Sequence, residues 1–211
     1  MLIEVCAETP EECMNAEING AHRIELCSSL DVDGLTPDFE VLKEVLGVVN
    51  IPVKVMIRCR AGDFNYTSDE LDEMKLTVEK IKQLDIAGIV FGALLYSDDK
   101  HRLDVKAIKQ ICAAADPLPV TVHKCIDWCE DINTEIYRLS DISGVNSILS
   151  SGGKATAAEG IDMLKEMKDI CDQLEFELIA AGKITSANLQ ILKESTTLNS
   201  FHGRKIVSRL F

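Results

Sequence analysis

The sequence predicts an α/β fold, a TIM-type (β/α)8 barrel that lacks a full final helix. Three observations predict it. Short β-type runs alternate with amphipathic helical segments along the whole chain, which means parallel pairing. There are eight such runs, and no early GxGxxG turn, which favours a closed barrel over an open doubly wound sheet. The length, 211 residues, suits one domain spanning 1–211, near the lower end for eight units.

The strands read from β-type runs are 2–6, 23–27, 53–58, 88–91, 120–123, 147–149, 176–180 and 200–202. Helical spacing predicts helices over 10–18, 37–46, 69–84, 105–115, 134–139, 156–171 and 186–194. Start signals support several of them. Thr9-Pro10 and Thr36-Pro37 place a cap before a first-turn proline, Ser68 and Asp69 precede the long third helix, and Thr185 can cap the last.

The formal net charge of −13, with no basic stripe to offset it, argues against nucleic-acid and anionic-membrane partners. The apolar runs are too short for a membrane span. The first residues, MLIEVCAETPEEC, lack the basic and apolar regions of a signal peptide. Eight cysteines without an export signal point to free thiols in a reducing compartment. They are dispersed and form no CxxC pair, which argues against a structural zinc knuckle.

Strand alternation locates the polar interior. Val5, Ile24, Leu26, Val53, Val55, Ile57, Val120 and Val122 take the faces that pack on helices. The opposite faces carry Glu4, Cys6, Arg23, Glu25, Cys27, Met56, Arg58, Arg60, Thr121 and His123, where a plain barrel core would use branched aliphatics. Buried charges are costly unless paired, so Glu4 and Glu25 are expected to pair with Arg58 and Arg60. Such a cluster is either a structural plug or a ligand site, and its place near the strands' C-terminal ends favours the site.

Further candidates lie at the strand exits. His123 with Asp127 can act as general acid and base, Asp127 orienting the imidazole; a satisfied core histidine fits equally. His123, Cys125 and Cys129 form an HxCxxxC cluster that either binds metal or holds incidental core cysteines. Arg58 and Arg60, beside Asp63, either hold a carboxylate or phosphate or balance the glutamates. Ser151, Gly152 and Gly153, with Gly182 and Gly203, sit where barrels bind phosphate through backbone N–H groups, though glycine also serves tight turns. Trp128 and Tyr66 read as packing or loop residues, and His22, His101 and His202 carry no clear signal.

A set of segments at these strand ends carries a family pattern: EVC, NGAHRIELC, GLTP at 34–37, VMIRCRAGDFNY at 55–66, GIVFGAL at 88–94, PVTVHKCID at 119–127, ILSSGG at 148–153 and FHG at 201–203. In order and spacing they resemble the CutC copper-homeostasis family from about residue 2 to 204. The sequence departs from the family pattern at Cys59, Ala61, Lys124, Cys125, Ala181 and Lys183. The resemblance implies a barrel, copper(I) binding, a cytoplasmic location and an oligomer. It also implies that Cys6 and Cys27 match the cysteines assigned to copper. Both end adjacent parallel strands, at what read as matching inward positions, and strands lie about 4.8 Å apart. Soft thiolates suit copper(I); two buried core cysteines are the alternative.

The function expected is therefore a cytosolic copper(I)-binding protein of copper homeostasis. The alternative is a barrel enzyme acting on a small anionic metabolite, with Glu4, Glu25, Arg58, Arg60, His123 and Asp127 as its catalytic set. A scaffold role, with the ion pairs as filler, is a third. A homodimer is also expected. Residues 204–211 would make only about two helical turns, yet Ile206, Val207, Leu210 and Phe211 share one face and leave an apolar flank.

Overall fold

The strands form where branched and alternating residues run for three to six positions, and their register closes them into a ring. The computed structural model describes residues 1–97 and 100–207. The barrel strands are β1 (Leu2–Ala7), β2 (Arg23–Leu26), β3 (Val53–Met56), β4 (Gly88–Phe91), β7 (Val120–Val122), β8 (Val145–Ser150), β9 (Glu177–Ala180) and β10 (Ser200–His202). All are parallel, in sequence order around the ring, and β1 closes on β10 through Leu2↔Ser200, Ile3↔Phe201 and Glu4↔His202. Between β4 and β7 the chain inserts an antiparallel hairpin of β5 (Leu94–Ser97) and β6 (Lys100–Leu103), which the sequence reading did not anticipate.

Helices α1 (Pro10–Ile18), α2 (Phe39–Val48), α3 (Ser68–Ile81), α4 (Val105–Ala115), α5 (Ile132–Ser140), α6 (Ile161–Gln173) and α7 (Leu189–Thr196) form the outer layer. Among the described residues none is long and apolar enough to cross a membrane. Thr9 caps α1 by accepting from Glu12 N–H. Thr67, one residue before the expected cap, makes a capping box with Glu70 at the start of α3. Thr36 caps nothing: its hydroxyl accepts from Arg58 N–H and donates to Arg58 C=O, and α2 begins after Asp38. The GLTP segment thus pins the exit of β3. Thr185 likewise lies before its helix rather than at the cap, which is Asn188.

The main apolar core lies between ring and helices, built on Val5, Ile24, Leu26, Val55, Ile89, Val122, Ile148 and Phe201. Two smaller apolar groups lie on the opposite strand faces: Cys27, Met56 and Val90, and Leu149, Ile179 and Ala181. The described end of the chain, through Val207, forms no eighth helix. Lys205 bridges to Thr185, and Ile206 and Val207 are buried in the main core. Ile206 and Val207 therefore contribute no exposed patch, which corrects half of the apolar flank expected of the tail; Leu210 and Phe211 lie outside the described residues.

Candidate functional site

The inward faces build two layers. The deeper one is an ionic cluster. Arg23 pairs with Glu4 and reaches Glu177 at 3.2 Å, and Ser200 donates to Glu177 at 2.7 Å. Lys54 donates to Thr121 at 2.7 Å and Ser147 at 3.1 Å. His202 Nδ1 lies 2.9 Å from Glu4 and 3.2 Å from Glu25. Burial would raise the Glu4 carboxyl, but the His202 hydrogen bond and charge, with Arg23 and Lys54, hold it down at about 2. Burial pulls His202 down, yet Cys6 and Glu25 beside it outweigh that and leave it well above its usual 6.5. Burial raises Glu25, and Glu4 adds to this against the pull of His202. Glu4, Glu25 and His202 each bring a ligand atom within 4.8 Å of the others. Arg23, Lys54 and the His202 proton face these carboxylates, while Glu25 Oε1 keeps no hydrogen-bond partner.

Above it, toward the strands' C-terminal ends, opens a cavity of about 310 Å³. Cys6, Glu25, Cys27, Met56, Arg58 and His123 are on its wall, with Phe64 and Trp128 at one side. Both expected metal residues are therefore present, but not at matching positions. The register pairs Cys6 with Glu25, so Cys27 stands two residues further on, just past the end of β2. It follows Leu26, whose partner on β3 is Val55, and packs against Met56. Burial pushes the Cys27 thiol well up, and the charges of Glu25, Cys6, Glu4 and Glu8 add to this.

Arg58 does not pair with Glu4 or Glu25. Its Nη1 donates to Val32 and Gly34 carbonyls and its Nη2 to Gly62, and its guanidinium lies 4.8 Å from the Phe64 ring. Arg60 turns away from the barrel into the β3–α3 loop, where Glu70, Asp63 and the carbonyl of Asn65 hold it. The reason is simple. The strand ends at Met56, so the alternation that carries Arg58 inward has lapsed by residue 60.

His123 and Asp127 are not a dyad. After Val122 the chain turns into a 3-10 helix, Lys124–Trp128, which carries Asp127 to the neighbouring β8 exit. There the carboxylate accepts from Ser150 and Ser151 hydroxyls and from the N–H groups of Ser151 and Gly153. Gly152 N–H goes to the Ser150 hydroxyl and Gly203 N–H to Glu4 C=O. Of the backbone donors expected to cradle phosphate, the N–H groups of Ser151, Gly152, Gly153 and Gly203 are thus occupied by the protein itself. Gly182 has a φ of +102 and lines the cavity where a Cβ would stand 2.8 Å from Ser151 Cβ; it serves a close approach.

Cys125 stays beside the His123 ring, both meeting the position a Cβ would take on Gly92, but among the described residues His123, Cys125 and Cys129 do not bring three ligand atoms together. Cys125 and Cys129 pack in the outer apolar core, which corrects the expected HxCxxxC cluster. His123 remains inward, its Nδ1 accepting from Cys125 N–H at 3.1 Å, its ring 4.8 Å from Phe64. Burial and the neighbouring Arg58 charge push it down to about 3.

Sequence reasoning missed His202 and Lys54. Both were legible in the alternation, since Ser200 and His202 oppose Phe201, and Lys54 stands one inward step before Met56.

The comparisons with known proteins agree with this architecture. The model of the CutC family matches residues 1–207. The chain is similar to the human protein named copper homeostasis protein cutC homolog, 38% identical over 203 residues covering 95% of this chain and 72% of the relative. It is 35% identical over 202 residues to the family protein CutC of Pasteurella multocida, covering 96% and 81%. The crystal structure of the CutC protein from Streptococcus agalactiae superposes with a TM-score of 0.89 at 30% identity, covering 98% of this chain and all of that one.

Proposed function

The chain belongs to the CutC family, whose named relatives are copper homeostasis proteins, and from that premise we propose that it binds copper(I) in the cytosol through the Cys6 and Cys27 thiolates. The observation that carries this reading is the shared cavity. Two thiols and the Met56 thioether line one opening at the barrel mouth, a set of soft donors suited to copper(I). Glu4, Glu25 and Glu8, which disfavour a bare thiolate at Cys27, favour a cation beside it. All eight cysteines are free, in keeping with a reducing compartment.

Copper must displace the Cys27 proton, which burial and the nearby carboxylates hold tightly. Copper affinity should therefore rise with pH across the neutral range. Titration against a competing copper(I) chelator under reducing conditions tests the reading. The wild type should bind copper(I) more tightly than zinc, and Cys6→Ser with Cys27→Ser should abolish the strong site. Cys125→Ser with Cys129→Ser should leave it intact. Strong binding that survives the first double change would remove the two-cysteine site.

An enzyme acting on a small anion is the second reading. One specific observation favours it: Arg58 and His123 each keep an unpaired buried nitrogen on a cavity-lining side chain.

A further inference from the structure

We propose that the barrel mouth binds a small carboxylate, with Arg58 and His123 as its two donors. The inference gives the second reading its ligand class and requires no catalysis and no metal.

It starts from an imbalance. Arg58 is 3% exposed, and among the described residues no carboxylate stands within salt-bridge distance of it. Its terminal nitrogens are spent on three backbone carbonyls, which fix the guanidinium but leave its full charge in place. A buried cation without a counter-charge is costly, so the site favours an anion beside it. Arg58 Nε, moreover, has no hydrogen-bond partner.

His123 adds a second donor of defined identity. It is 4% exposed, and its Nδ1 accepts a hydrogen bond from Cys125 N–H. An accepting nitrogen carries no proton, so in the neutral ring the proton sits on Nε2. That Nε2 is also without a partner. Both orphans are thus N–H donors, and Phe64 packs against both side chains, 4.8 Å from each.

Two N–H donors and one positive charge match a monoanion that offers two acceptor oxygens. A phosphate would ask for more donors. Of the loop N–H groups at the last strand exits, those of Ser151, Gly153 and Gly203 already serve Asp127 and Glu4. The field agrees. Of the cations on the cavity wall, Arg204 meets Glu8 and Glu12 and Lys124 lies 3.9 Å from Asp127, so the attraction for an anion is local to Arg58 and Lys183, away from the carboxylates beside Cys27.

Calorimetric titration of the metal-free protein with acetate, pyruvate and benzoate tests the site. At least one should bind saturably, and each that binds should outcompete inorganic phosphate at equal ionic strength. His123→Phe, which keeps an aromatic ring but no N–H, should weaken that binding at least tenfold, and Arg58→Met likewise. If Arg58→Met fails to fold, the wild type still decides. A proton-nitrogen correlation spectrum should show His123 protonated at Nε2, and that resonance should move as the carboxylate is added. Cys6→Ser with Cys27→Ser should retain the binding, which separates this site from the copper site. No saturable binding by any of the three, tighter binding of phosphate, or an unmoved His123 resonance would overturn the proposal.

Discussion

Asp127 shows how a residue read as catalytic becomes structural once its neighbours are known. Its two oxygens collect two backbone N–H groups and two hydroxyls from the β8 exit loop. Asp127→Ala would orphan the N–H groups of Ser151 and Gly153. Each such buried group costs about 1–3 kcal/mol, so the variant should unfold about 2–4 kcal/mol more easily. Urea denaturation measures this. Copper affinity should stay close to wild type, because Cys6 and Cys27 lie on other strands; a large loss of copper with little loss of stability would return Asp127 to the site. Arg60 makes the same point, since Glu70 and Asp63 hold it in a loop.

At the scale of elements, the exits of β4 and β7 are fitted to each other through Gly92. A Cβ there would stand 2.4 Å from Cys125 Sγ and 2.7 Å from His123 Cε1. Gly92→Ala should therefore destabilise the protein by about 1–3 kcal/mol, the usual cost of overpacking. It should also displace His123 and weaken carboxylate binding. Cys125→Ala in the same chain should recover part of the lost stability by removing the nearest atom, and a double-mutant cycle reads that coupling. If the two changes are strictly additive, the contact is not what requires glycine. The β5–β6 hairpin braces the same region: Tyr96 hydroxyl accepts from Phe64 N–H, and the Tyr96 ring packs on His101.

Across the whole molecule, the ionic cluster ties the first strands to the last and makes ring closure dependent on pH. Glu4, held at about 2 against 4.5 usually, contributes stability above pH 4.5 that is lost as pH falls toward 2. His202, raised above 6.5, contributes stability below that pH that is lost as pH rises through its folded value. Glu25, also raised, acts in the same direction as His202. Stability should therefore peak in mildly acidic solution and decline toward alkaline pH. His202→Gln should flatten the alkaline limb of a urea-midpoint profile; an unchanged limb would place its cause elsewhere. The expected homodimer rests on a smaller patch than the tail promised, since Ile206 and Val207 are buried. Light scattering at micromolar concentration checks it, and a monomer mass removes it.

Patterning along the chain is enough to specify the barrel, its strand order and the identity of most inward residues. Period-two alternation and β/α succession are local signals, so Glu4, Cys6, Glu25, Cys27, Arg58 and His123 were legible on the inner face. The hairpin was not, because its strands are short and lie outside the ring. Tertiary structure decided the partners. Glu4 and Glu25 meet His202 only because residue 4 and residue 202 close the ring, a contact that no local pattern encodes. Cys6 and Cys27 are offset because register depends on where each strand begins against its neighbour. Arg60 and Asp127 leave the positions expected of them for one shared physical reason. Alternation holds only while backbone is extended, and each lies past the point where its strand ends and a turn re-aims the chain.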